Sequence, residues 1–145
     1  MADALHYTVT ELHPTRVIDM ATLTGSVVRA LGREIAGLWS NSDSLAGELL
    51  QAGERTHERL WQMPLYDDYR ANLRSDIADM KNVGNTDAGA IVAALFLQEF
   101  VQSVPWAHID IAGTARQLEA SSHRPKLSTG YGVRLLVDYL EQLAK

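Results

Sequence analysis

The stretch NVGNTDAGAIVAALF at 82–96 holds the first residues of this chain whose types and spacing could do chemistry. Within it, Asn85-Thr86-Asp87-Ala88-Gly89 reads in two ways. An aspartate in such a string could ligate a metal, whereas a glycine turn before an alanine-rich apolar run opens a helix. His108-x-Asp110 is a second candidate, because alternation places both side chains on one face of a strand. Two ligands do not complete a coordination sphere, and the ordinary role of such a pair in a core strand is a satisfied hydrogen bond. Asp76 and Asp79 are spaced to share a helical face, with solvation or capping as their ordinary role. Glycine-bearing turns form the last group: Thr22-Leu23-Thr24-Gly25, Asn82-Val83-Gly84 with Gly89, and Ile111-Ala112-Gly113-Thr114. In open parallel sheets, ligands bind beyond the carboxyl ends of the strands. The functional reading of these turns is a pocket walled by backbone amides and small side chains; the ordinary one is plain strand-to-helix turns.

Other chemistries lack their residues. There is no phosphate loop of the G-x-x-x-x-G-K-[ST] type, no G-x-G-x-x-G and no H-E-x-x-H. No serine stands in a G-x-S-x-G elbow. Cysteine is absent, which removes disulfides, thiolate nucleophiles and cysteine metal sites. Gly130-Tyr131-Gly132 reads as a loop entering a helix, and His6, His13, His57 and His123 have no partner spacing.

The elements that must position these residues alternate. Ala2–Glu11 reads as the end of a helix, closed by His13-Pro14. Val17–Leu23 is short, mostly apolar and suited to a strand buried on both faces. Gly25–Leu31 reads as a short helix and Ile35–Trp39 as a second apolar run. Asn41–Ser44 supplies capping chemistry for a helix from Ser44 to about Arg59. Trp61–Leu65 breaks the pattern, Tyr66–Leu73 looks helical and Ile77–Val83 irregular. Gly89–Val101 is a helix apolar nearly all round, hence buried. Pro105–Gly113 is a third strand, Arg116–Ser128 a polar loop, and Val133–Leu143 an amphipathic helix. Strands alternating with helices predict an α/β fold, a mostly parallel sheet flanked by helices in three layers, within one domain over 1–145.

Net charge is −5, which argues against a nucleic-acid partner. No apolar run is long enough for a membrane span, and the N-terminus has neither the basic nor the apolar region of a signal peptide. The lack of cysteine fits a reducing compartment, so a cytoplasmic location is expected.

Segments nearly end to end resemble the C-terminal part of the catalytic domain of leucyl aminopeptidases, also called cytosol aminopeptidases. They are ADAL (2–5), VIDMATLTGS (17–26), ALG (30–32), GLWSN (37–41), WQMPL (61–65), SDIADMKNVG (75–84), GAIVAALFLQEF (89–100), WAHIDIAGTA (106–115) and STGYGVRLLVDYL (128–140), in the family's order and spacing. The resemblance implies a hexameric exopeptidase in which two divalent metals, zinc or manganese, activate a bridging water to release N-terminal residues from peptides. Such family members draw metal ligands from an upstream lysine and aspartates and from the signature N-T-D-A-E-G-R-L, which ADAL follows almost directly. Here ADAL begins at Ala2, and "NTDAG" at 85–89 has Gly89 in place of the signature's glutamate and no arginine. By position it matches the family's glycine-rich loop before the alanine-rich helix. The resemblance therefore implies no metal ligand and no catalytic residue in this chain, and an incomplete half of the catalytic domain.

What the resemblance carries over is a substrate wall: Thr22, Leu23 and Gly25 beside the metals, Val83 in a pocket, and Ala112 and Ala115 lining the pocket for the N-terminal side chain. The expectation is a piece of a metal-dependent aminopeptidase with its specificity pocket and without its metal site, inactive alone and prone to homo-oligomerise or join other subunits. The rival expectation is a non-catalytic truncated paralogue serving as an interaction or assembly module.

Overall fold

The computed structural model describes residues 1–84, 87–117 and 126–145. Four strands form one sheet in the order β1 (Val17–Ala21), β4 (Trp106–Asp110), β2 (Ala36–Ser40), β3 (Leu60–Gln62). β1 runs parallel to β4, and β2 parallel to β3, whereas β2 and β4 are antiparallel. Helices α1 (Ala2–Glu11), α2 (Gly25–Leu31) and α4 (Gly89–Gln98) pack with Trp39 and Trp106 on one face of the sheet. α3 (Asp43–Thr56) and α5 (Val133–Leu143) pack with Leu38, Ala107 and Ile109 on the other. The result is the expected α/β arrangement in three layers.

β4 is the central strand and is buried at every position. Its alternation sends Trp106, His108 and Asp110 to one face and Ala107 and Ile109 to the other. β1 departs from the reading of a strand buried on both faces: only Val17 is buried, because β1 lies at an edge of the sheet. It also ends at Ala21, leaving Thr22 and Leu23 in the turn.

Further corrections share a cause. β3 falls where Trp61–Leu65 reads as a break, since Trp61 and Gln62 are exposed on an edge strand and carry no alternation. Tyr66–Leu73 is helical as read, in the form of a 3-10 helix over Asp67–Leu73. The polar loop 116–128 holds a short antiparallel pair, β5 (Arg116–Gln117) with β6 (Leu127–Ser128). Residues 118–125 of that loop lie outside the described residues.

α3 begins at its Ser42 cap, whose hydroxyl accepts from the Leu45 N–H. α5 has a glycine at the capping position, Gly132, at φ +95°. With no side chain there, the cap comes from Glu58, a buried carboxylate 74 residues earlier that accepts from the Gly132 N–H at 2.9 Å. It also accepts from the Leu135 N–H at 2.9 Å and from Arg134 Nε at 3.3 Å. A negative group here also favours the positive end of the helix. Across the same face, Arg16 donates to Glu48 of α3 and to the Tyr139 hydroxyl of α5. The Tyr139 hydrogen bond, ahead of the Glu48 charge, holds the Arg16 guanidinium above its ordinary pKa.

Glu58→Ala leaves two helix-start N–H groups without an acceptor inside the protein. It is expected to cost about 2–4 kcal/mol of stability, with Glu58→Gln losing less because it keeps one acceptor oxygen. Urea unfolding midpoints measure both, and a change under about 0.5 kcal/mol for the alanine variant contradicts the capping role.

Candidate functional site

The chain leaves β1 and β4 at the same end of the sheet, because the two strands are parallel. Asp110, the last residue of β4, is 1% exposed, and its carboxylate organises that end. Oδ1 accepts from the Leu23 N–H and the Ala112 N–H, both at 3.1 Å. Oδ2 accepts from the Thr24 N–H at 3.1 Å and the Thr24 hydroxyl at 2.8 Å. The physical cause is mutual need. A buried carboxylate without donors is costly, and so are turn N–H groups without acceptors. Thr24 then serves as the N-cap of α2, its hydroxyl accepting from the Val27 N–H at 3.1 Å.

This links the first and third glycine turns. The first and second meet at the starts of α2 and α4, where a Cβ added to Gly89 would lie 2.7 Å from Ser26 Oγ. A Cβ added to Gly84 would lie 2.6 Å from Val92 Cγ1 of α4. Between these turns lies a hollow of about 310 Å³, lined in part by Leu23, Thr24, Ser26 and Arg29 from one side and Val83 and Gly84 from the other. A second hollow, of about 420 Å³, shares Ser26, Arg29 and Gly89 and adds Asp87 and Met63.

The residues singled out from sequence are therefore only partly united. Leu23 and Val83 line one hollow. Leu23 and Ala112 are joined through Asp110. Thr22 is exposed in the turn after β1, and Gly25 is exposed as the first residue of α2. Ala115 lies apart, lining a hollow of about 470 Å³ with Arg116, Leu127 and Ser128.

His108 does not join Asp110 as a ligand pair. Its Nδ1 lies 2.5 Å from Asp19 Oδ1, while Asp19 Oδ2 accepts from Trp106 Nε1 at 2.7 Å. The His108 ring stacks at 11° to Trp106 and sits 5.8 Å from Trp39, so this aspartate closes an aromatic row in the core. The hydrogen-bond reading of His108 and Asp110 holds for both residues, with different partners. Among the described residues, no group of three or more His, Asp or Glu side chains could hold a metal ion. Asp87 and Ala88 form the turn that precedes α4, with Ala88 in the left-handed region at φ 52°; Asn85 and Thr86 lie outside the described residues.

Sequence reasoning did not single out Asp19, Ser26, Arg29 or the turn-holding role of Asp110. Only Thr24 had a local signal, a threonine just ahead of a helical stretch.

Asp110→Ala removes the acceptor for three backbone N–H groups and one hydroxyl. The expected cost is about 2–4 kcal/mol in unfolding free energy, with faster amide exchange at Leu23, Thr24 and Ala112. Unchanged exchange at these three amides rules out the carboxylate as the clamp of the turn.

Residues 1–137 match the model of the cytosol aminopeptidase family, catalytic domain. The chain is 53% identical over 145 residues to a probable cytosol aminopeptidase of Protochlamydia amoebophila, covering 99% of this chain and 29% of that protein. It is 54% identical over 142 residues to one of Syntrophotalea carbinolica, covering 98% and 28%. It is 51% identical over 144 residues to one of Chlamydia trachomatis serovar L2, covering 98% and 29%. The chain thus spans less than a third of the length of these relatives. The nine segments read from the sequence, the three-layer α/β arrangement and the family match agree, and the chain belongs to the cytosol aminopeptidase family as a C-terminal part of its catalytic domain.

Proposed function

We propose that this chain supplies the substrate wall of a metal-dependent aminopeptidase, the hydrolase that releases N-terminal residues from peptides. The supporting observation is the convergence of the three glycine turns at the carboxyl ends of β1 and β4, with Leu23 and Val83 on one hollow of about 310 Å³. That volume is near the lower bound for small-molecule clefts, and Leu23, Val83 and Val92 give it apolar walls. In this reading the hollow takes one side chain of the peptide. Thr22 and Gly25 present backbone to the peptide near the scissile bond, and Ala112 and Ala115 shape the pocket for the N-terminal side chain.

Asp19 and Asp110, the aspartates of β1 and β4, do not fit a two-metal centre. Asp110 accepts four hydrogen bonds, and the carboxylate of Asp19 is held by His108 and Trp106. Freeing either would expose buried donors. No step of hydrolysis is therefore assigned to a metal held by this chain; zinc or manganese belongs with ligands from elsewhere in such an enzyme. The chain's own residues bind and orient the peptide and exclude water from its apolar side chain. A cytoplasmic setting and the absence of a nucleic-acid partner belong to the same proposal, the first supported by the lack of cysteine and the second by the charge of −5. No helix among the described residues is long and apolar enough to cross a membrane.

Purified and supplied with zinc or manganese, the chain is expected not to hydrolyse leucine amide. Turnover that survives repurification and vanishes with chelator overturns the assignment of the metal centre elsewhere.

Association with further copies or other subunits is a second part of the proposal. Val133, Val137 and Leu140 recur on one side of α5 at 62%, 51% and 60% exposure, and β1 is a sheet edge. Apolar helix faces and unpaired edges favour association. Sedimentation is expected to show species heavier than the 16.0 kDa monomer, reduced by Val137→Glu. A purely monomeric, cooperatively unfolding species contradicts it.

A further inference from the structure

Among the described residues, Arg29 is the one charged side chain lining the hollow of about 310 Å³, and with Asp87 it also lines the adjoining hollow of about 420 Å³. It stands at the border of the two. Its place follows from α2: Ser26 and Arg29 are three residues apart on one helical face, and the guanidinium donates to Ser26 Oγ at 2.9 Å. Ser26 is itself pressed against Gly89 at the start of α4. The guanidinium is thereby oriented by a neutral hydroxyl. Arg16, Arg55, Arg70 and Arg134 each face a carboxylate; Arg29, like Arg33, Arg59, Arg74 and Arg116, forms no ion pair among the described residues, and of these five it alone lines the hollow of about 310 Å³. The side chain is exposed. A planar guanidinium with free N–H donors at the rim of an apolar hollow is matched by a carboxylate, which it can grip through two parallel hydrogen bonds.

We propose that Arg29 is a specificity-determining residue that draws a peptide carboxylate to the rim of this hollow while Leu23 and Val83 take an apolar portion. The carboxylate is either the free C-terminus of a short peptide or an acidic side chain beyond the scissile bond. This rests on the reading of the hollow as a substrate pocket. The chain's overall charge of −5 opposes an acidic ligand, so attraction must come from this local cation, and added salt should weaken it.

The test is titration of the 145-residue chain with two matched peptide pairs, followed by calorimetry and by methyl NMR at Leu23 and Val83. Leucyl-glycine against leucyl-glycinamide isolates the C-terminal carboxylate. The α-amides of leucyl-glutamate and leucyl-glutamine isolate the acidic side chain. In at least one pair the acidic member is expected to bind about three- to tenfold tighter, as for one solvent-exposed charge pair. Arg29→Gln is expected to abolish the difference, Arg29→Lys to keep part of it and Arg29→Glu to reverse it. Equal binding within both pairs, with Leu23 and Val83 shifting, overturns the role of Arg29 and leaves the pocket reading standing. A preference that persists in Arg29→Gln overturns it equally. No saturable shift at Leu23 or Val83 with any peptide overturns the pocket reading, and the role of Arg29 with it.

Discussion

One buried carboxylate, that of Asp110, holds together the end of the sheet where β1 and β4 finish. It lies at the end of a strand buried at every position, where an unpaired charge would be expelled. The turn after β1 arrives there with backbone N–H groups that no strand can accept. Four hydrogen bonds resolve both needs at once. The turn geometry then dictates where Thr24 caps α2, and α2 dictates where Ser26 and Arg29 stand. The close approach of Gly89 to Ser26 brings α4 and the second glycine turn against that helix.

The same balance of donors and acceptors lets polar groups occupy the core. Asp19, His108 and Trp39 lie in register across three strands, and Asp19 joins the imidazole and the Trp106 indole. Asp19 and His108 are joined across the β1–β4 pair, whereas the Trp39 indole N–H has no hydrogen-bond partner among the described residues and is held by packing alone. Asp110 and His108 share a strand face, yet they turn to different partners because different neighbours offer the missing donor or acceptor.

The helices were largely legible from the sequence. α4 is apolar nearly all round, α3 has its serine cap, and α5 shows a clear apolar face, all of which are local signals. Strands β1, β2 and β4 appeared as short apolar runs, but β3 did not, because Trp61 and Gln62 are both exposed. The site was legible in part. The glycine turns stood out as turns, and the family resemblance pointed to Leu23 and Val83, which share a hollow. It pointed equally to Ala115, which lines another.

By itself, then, the sequence determined the helices, the turns and the family, because periodicity, capping residues, glycine and ordered segments act over a few residues or survive as text. Tertiary structure alone decided that β2 runs against β4, that Glu58 caps α5 and that Asp110 clamps the turn at Leu23 and Thr24. It also decided that Arg29 borders two hollows. The partners in these contacts lie up to 87 residues apart. Their pairing is chosen by which buried donor and acceptor meet when the layers close, and no local pattern encodes that choice.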